Sequence, residues 1–402
     1  MIKRTLQELC LNITDGKHGD CENEENSGYY FISCKDIFDG QINYKNARQI
    51  TKADFEETHK RTMLEVDDIL LTNSGTIGRM AFVTDREATT KTTFQKSVAI
   101  IKPDKQKVLP RYLYYQLQNC VPQFINSSNG SAQKNLLLST MRTFQIEIEE
   151  NREKQEKIAN TLSAYDDLIE NNQKQIKLLE EAAQRIYKEW FVDLRFPGHE
   201  NTKIVDGVPE GWNWCKLEDA IQFDPKVTLT KERMKQFVPM SALSTSSMVL
   251  DESQFTETTS NSGSKFQNGD TLLARITPCL ENGKTACVSG LKSNEGAVGS
   301  TEYIVMRAKT INAYMVYLLA RTDDFRQSAI NSMSGSDGRQ RVKSDKLKML
   351  DYLHPTSELV EKFENVAKPI FEKICKLSKQ MQQAKQARDL LLPKLMSGEV
   401  EV

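Results

Sequence analysis

Between residues 151 and 194, seam positions recur at alternating steps of four and three: Ile158, Leu162, Tyr165, Ile169, Asn172, Ile176, Leu179, Ala183, Ile186 and Trp190. Charged and amide residues surround them, and neither proline nor glycine interrupts the stretch. That spacing is the a/d stripe through which two helices bury a common seam. It predicts one helix of about 40 residues, or about 60 Å at 1.5 Å per residue, stopped by Pro197-Gly198. The same steps return 205 residues later as Phe363, Ala367, Ile370, Ile374, Leu377, Met381, Ala384, Arg388, Leu391 and Leu395. The second stripe predicts a helix from just after Pro355 to about Met396, with a kink or late start at Pro369 and a further interruption at Pro393. Asn172 and Arg388 are polar members of the seams, a type of residue that can fix register. Outside the seam, Lys174, Lys177, Glu180 and Glu181 are read either as solvated or as facing a partner.

The segments between the stripes also repeat. Apolar runs bounded by turn residues predict strands at Gly28–Ser33, Asp67–Thr72 and Gln95–Ile101, and a short helix follows Pro110 at Arg111–Leu117. In the second half, Asn268–Ala274 matches the Asp67–Thr72 run at an offset of 202. Tyr303–Met306 reads as a strand, Ala313–Leu319 matches the tyrosine-rich helix, and Ser334-Gly335-Ser336 matches Asn129-Gly130-Ser131 at 205. The class is α+β, with two pseudo-repeated mixed α/β modules and two long helices. Boundaries fall at 1–150, 151–196 (helix), 197–207 (linker), 208–355 and 356–402 (helix). The scaffolds match while the intervening loops differ, which suggests two modules reading different targets.

Composition narrows the function. The net charge of −1 excludes a polybasic nucleic-acid coat, so any nucleic-acid contact rests on local basic surface or on partners. The eight cysteines are scattered without a C-x-x-C, and the four histidines lie far apart, so no metal site is expected. The N-terminus lacks the apolar core of a signal peptide and no apolar run is long enough to span a bilayer, so reduced thiols in the cytoplasm are expected.

Several stretches carry a family likeness. They are Glu153–Ala159 followed by Leu162 and Asp166-Asp167-Leu168-Ile169, then Leu178-Leu179-Glu180 and Tyr187-Lys188-Glu189-Trp190-Phe191, then Val208-Pro209-Glu210-Gly211-Trp212, the run Gly269–Lys284, and Leu391–Gly398. In this order, and across essentially the whole chain, they resemble the specificity subunits of type I restriction-modification systems. The resemblance implies that 1–150 and 208–355 are target recognition domains, each reading one half of a gapped, asymmetric double-stranded DNA site. The long helices are then an antiparallel coiled coil that spaces the domains and docks two modification (methyltransferase) subunits, joined by restriction/translocase subunits. The chain itself is then non-catalytic, within a complex that is a site-specific endonuclease and adenine methyltransferase. S-adenosylmethionine, ATP and Mg belong to the partners, and this chain has no cofactor of its own.

The residues agree with an absence of chemistry. No Asn/Asp-Pro-Pro-aromatic methyltransferase motif occurs. Gly283-Lys284-Thr285 lacks the P-loop glycine, because Pro278 stands in its place. Asp67-Asp68 reads as a turn before a strand. Residues 336–348 carry five basic side chains (Arg339, Arg341, Lys343, Lys346, Lys348) against two acidic ones, with Ser336, Asp337, Gly338 and Gln340 adding polar contacts. Arginine and glutamine suit base edges and lysine suits phosphate. The first-half counterpart is Ser127, Ser128, Asn129, Gly130, Ser131, Gln133, Lys134 and Asn135. After the matched strands come Asn73, Ser74, Thr76 and Arg79 in one half, and Arg275, Thr277, Asn282 and Lys284 in the other. Lys17 and His18 form an additional pair of candidates. Each group has an ordinary alternative: a solvated loop, a turn, or a structural ion pair at Arg275. A self-contained modification enzyme or nuclease, and a coiled-coil adaptor with no DNA role, stay open as functions.

Overall fold

The computed structural model describes residues 1–128, 134–292, 296–335 and 339–401. It divides into two compact units, Met1–Asp167 with Ala384–Val402, and Leu168–Gln383.

The first unit is built on an antiparallel four-stranded sheet in the order Cys10–Asp15, Val98–Pro103, Ile69–Thr72, Met80–Phe82. Its central strands are apolar on both faces, which is why they read as continuous runs. Ile69, Leu71, Ala99 and Ile101 face one core with Tyr112, Tyr115 and Leu117 of the helix Pro110–Asn119. Leu70, Val98 and Ile100 face the other, with Ile32, Ile37 and Phe94. That second core includes a smaller sheet in which Tyr30–Ile32 pairs parallel with Thr92–Phe94. Ile2–Thr5 pairs with Gln145–Ile148.

The second unit repeats this plan. Its four-stranded sheet runs Ile221–Phe223, Tyr303–Ala308, Thr271–Ala274, Thr285–Cys287. A parallel pairing of Lys235–Val238 with Ala297–Gly299 lies in a second sheet, here also of four strands, and Asn213–Lys216 pairs with Asp351–His354. Even the turn before the central strand is shared. The Asp68 carboxylate accepts the Glu65 N–H at 2.8 Å, and the Asp270 carboxylate accepts the Gln267 N–H at 2.8 Å. The residue before each aspartate has a positive φ, 77° at Asp67 and 90° at Gly269. Asp68 is held by Lys102 at 2.8 Å, and Asp270 by both arms of Arg307 at 2.7 Å. Asp67-Asp68 is thus a turn with one structural carboxylate.

The two stripes form single helices, Arg152–Phe191 and Ser357–Ser397. All twenty seam positions are buried or half-buried. Within each unit the helices run antiparallel. In the first, Asp166 pairs with Arg388 while Ile158 and Leu162 share a core with Leu395 and Met396. In the second, Asn172 Nδ2 donates to the Leu377 carbonyl at 3.5 Å, and Tyr187 and Trp190 lie against Phe363. The seam is therefore not only helix on helix. Ile176, Ala183, Ala367, Phe371 and Ile374 belong to one core with Leu217, Met315 and Tyr317 of the second module.

Two expectations need correction. The C-terminal helix neither starts late nor stops at Pro369 or Pro393. Both prolines lie on its exposed flank, where water can satisfy the carbonyl left without an N–H partner. The segment 197–207 is also more than a plain linker, since Ile204–Val205 forms a hairpin with Val208–Pro209.

Candidate nucleic-acid interface

In the first unit, the chain leaves the central strand at Thr72 and returns at Met80. The Thr72 hydroxyl closes the intervening loop, donating to the Thr76 carbonyl and accepting the Arg79 N–H at 2.9 Å. The Asn73 carbonyl accepts the Leu136 N–H at 2.8 Å, and Ser74 forms a bridge with Asn135. The two loops singled out in the sequence therefore meet. Thr76, Arg79, Lys134 and Asn135 are exposed, and Ser74 is half-buried. Arg79 reaches the Cys34 carbonyl only at 3.5 Å. Asn73 is buried, and its Oδ1 has no partner. Ser131 and Gln133, with Asn129 and Gly130, lie outside the described residues.

The second unit makes the same junction. The Arg275 carbonyl accepts the Val342 N–H at 2.9 Å, as Asn73 does from Leu136. The Thr277 N–H donates to the Gln340 carbonyl at 3.1 Å, and Ser334 and Arg341 exchange backbone hydrogen bonds at 3.1 and 3.0 Å. Val342 and Leu136, fully buried, anchor their loops. Ser336, Asp337 and Gly338 lie outside the described residues. Arg339, Lys343 and Asn282 are exposed and Gln340 is half-buried.

The structure separates these side chains by role. Arg341 forms a two-pronged ion pair with Glu302, at 2.7 and 2.9 Å. Hydrogen bonds from Arg341 hold the Glu302 carboxyl below its usual range. Arg341 therefore fastens the loop to the turn at Glu302, and its fork is occupied where a base-reading role needs it open. Lys284 donates to the Met240 carbonyl at 3.0 Å, and Lys348 pairs with Asp345 at 2.7 Å. Lys17 is held by Asp54 at 3.1 Å and Glu57 at 3.3 Å, while His18 and Arg61 share Asp15. Arg275 forms no ion pair among the described residues, and its buried Nε has no acceptor; the Thr277 hydroxyl is also buried and unpartnered. Glu302 was not legible as part of this site, because it lies 39 residues from Arg341.

Glu180 also needs reassignment. Its carboxylate accepts the Met248 N–H at 2.6 Å and the Ser247 hydroxyl at 3.1 Å, so it faces its own module. Burial pushes its carboxyl up. Lys174 and Lys177 remain exposed, in helical pairs with Glu170 and Glu181. Gly283-Lys284-Thr285 runs into the strand Thr285–Cys287, where a P-loop requires a helix. Cys287 is a core residue whose thiol burial pushes up to about 12. Among the described residues no helix is long and apolar enough to cross a membrane.

Comparison with known proteins gives these loops a context. Residues 3–181 match the family described as type I restriction modification DNA specificity domain. The chain is 28% identical over 386 residues to the type I restriction enzyme MjaIX specificity subunit of Methanocaldococcus jannaschii, covering 92% of this chain and 87% of that one. A shorter match, 34% identical over 140 residues, links 34% of this chain to 24% of the EcoAI specificity subunit of Escherichia coli. Among solved structures, the S subunit of a type I restriction-modification system from M. genitalium shares the fold. Its TM-score is 0.59 at 16% identity, over 98% of this chain and 95% of that one. Over most of its length the chain is thus similar to type I restriction-modification specificity subunits, and residues 3–181 match their DNA specificity domain.

Proposed function

We propose that each unit reads one half of a bipartite, gapped double-stranded DNA site. The observation that carries this is the shared junction: one backbone hydrogen bond, Leu136 to Asn73 and Val342 to Arg275, joins the same two loops in both units. The exposed side chains around it differ, with Thr76, Arg79, Lys134 and Asn135 in one unit and Asn282, Arg339 and Lys343 in the other. A fixed backbone with variable polar tips is what two readers of unlike sequences require.

On this reading the two long helices are the spacer between the modules and the docking surface for two modification subunits, with restriction/translocase subunits completing the complex. Those partners bring S-adenosylmethionine, ATP and Mg, and the assembly works in the cytoplasm. A net charge of −1 leaves this chain short of a phosphate clamp of its own, so the partners supply much of it. The chain alone then binds DNA weakly, and with two modification subunits it binds tightly and sequence-specifically. A gel-shift titration with and without those subunits tests this. Equal affinity in both conditions refutes the shared clamp, and failure of the assembled complex to protect any sequence refutes the reading itself.

A further inference from the structure

In the second unit an open cleft of about 660 Å³ lies beside Arg275. Its walls carry four cations, Lys226, Lys231, Lys265 and Arg275, and one carboxylate, Asp224. Asp224 is already engaged: it accepts the Val305 N–H at 3.0 Å and the Ser344 hydroxyl. None of the four cations forms an ion pair among the described residues, and the Arg275 Nε is buried without an acceptor. Asn261, Ser264 and Thr301 add neutral polar groups. A concave surface lined by one sign of charge concentrates potential for the opposite sign.

The first unit differs in the corresponding place, where exposed Lys96 stands at the position of Thr301. There the segment after the matching edge strand, Cys10–Asp15, carries Lys17 and His18. Lys17 is neutralised by Asp54 and Glu57, while His18 and Arg61 converge on Asp15. The repeated scaffold thus carries a different set of charges at this place in the two modules.

We propose that this cleft grips a phosphodiester of the DNA backbone next to the half-site read by the second unit. The proposal rests on the DNA-reading role above. Phosphate contacts fix register and add affinity without carrying sequence information. The cleft is therefore a clamp, distinct from the reading loop at Arg339.

The test is the triple variant Lys226→Ala, Lys231→Ala, Lys265→Ala in the full chain assembled with its modification subunits. Affinity for the cognate duplex is measured across salt concentrations, and the methylated sequence is mapped. Each neutralised phosphate contributes about 0.9 to the slope of log affinity against log salt. The slope is expected to fall in magnitude by about one to two, with the recognised sequence unchanged. An unchanged slope, or an altered half-site, overturns the proposal. ATP binding by the native chain that disappears in the variant, with the DNA slope unchanged, assigns the cleft to a free nucleotide and also overturns it. If the native complex itself shows no specific DNA binding, the DNA-reading role fails too, and that outcome is separable from a native-like slope in the variant.

Discussion

The polar break in the helix seam at Arg388 makes an unequal pair of substitutions informative. Arg388 Nη1 lies 2.6 Å from one Asp166 oxygen, and the Tyr115 hydroxyl donates to the other at 2.5 Å. Arg111 stands 3.8 Å from that second oxygen. Burial first, and then the charge of Asp166, hold the Tyr115 phenol well above its usual range, so it remains a donor. Asp166→Ala strands a buried hydroxyl and leaves Arg388 with only Asp389, which is exposed. Breaking a fully buried pair costs about 3–5 kcal/mol, and an orphaned buried donor about 1–3 kcal/mol. Each charged side chain keeps about a fifth of its surface exposed, 20% at Asp166 and 22% at Arg388, so solvent screening pulls the expected cost down to about 3 kcal/mol. Arg388→Ala leaves Asp166 its Tyr115 and Arg111 partners and is expected to cost about 1–2 kcal/mol. The double variant should fall short of the sum by about 1 kcal/mol or more. All three tryptophans (Trp190, Trp212, Trp214) lie in the second unit, so their fluorescence does not follow this change and serves as the internal control. The readout is hydrogen exchange in the Tyr112–Leu117 segment during denaturant titration. Equal costs for the two single variants, with an additive double, would refute the network.

Other substitutions test other parts of the argument. Arg339→Ala should relax recognition in one half of the target by about 1–3 kcal/mol per base contact, leaving the other half intact; methylation-site sequencing showing both halves changed would contradict module independence. Glu180→Ala should speed exchange at the Met248 amide by about tenfold or more, because two hydrogen bonds to a charged acceptor are lost, whereas Glu180→Gln keeps an acceptor and should retain most protection. Burial raises the Asp68 carboxyl to about 6 from 3.8, against the pull of Lys102. Its protonated form is thus favoured in the fold, and the contribution is present below about pH 4 and lost as pH rises through about 6. Relative to Asp68→Asn, the native first unit should lose about 2 kcal/mol between about pH 4.5 and 7, and parallel pH profiles would contradict this.

Much of the fold could be read in advance because its period is local. The four-three stripe and the absence of proline and glycine define the central helix from residues 158 to 190. The apolar run Ile69–Thr72 shows because both faces of that strand are covered. Ile2–Thr5 and Cys10–Asp15 were not legible, since Lys3, Arg4 and Asn12 face solvent and break the apolar signal. The stripe also misplaced Glu180. Periodicity identifies the flank that meets the other helix, but not a flank that a separate module covers. For the same reason it missed Tyr187, which is more deeply buried than its seam neighbour Ile186. The candidate site was legible as two loops, yet the division of labour within them was not. Arg339 and Arg341 are equivalent in composition, and only the placement of Glu302 turns one into a brace and leaves the other free to reach outward.

That division bears on how such a chain changes its target. The contacts that repeat between the units are made by backbone or by buried groups: the Asn73 and Arg275 carbonyls, the Leu136 and Val342 anchors, and the Asp68 and Asp270 turns. None of these depends on the exposed side chains at the loop tips. A substitution at Arg79, Lys134, Arg339 or Lys343 therefore alters what is offered to DNA while leaving the hydrogen bonds that hold the loops. Replacement of Glu302, Arg341, Leu136 or Val342 instead loosens the frame that aims every tip in that unit. Selection for a new target should act on the first group and be resisted at the second. On the clamp role proposed for the basic cleft, affinity and sequence preference in the second unit rest on separate residues. The two properties can then change independently there, while in the first unit Lys17 and Arg61 are held in ion pairs within the module.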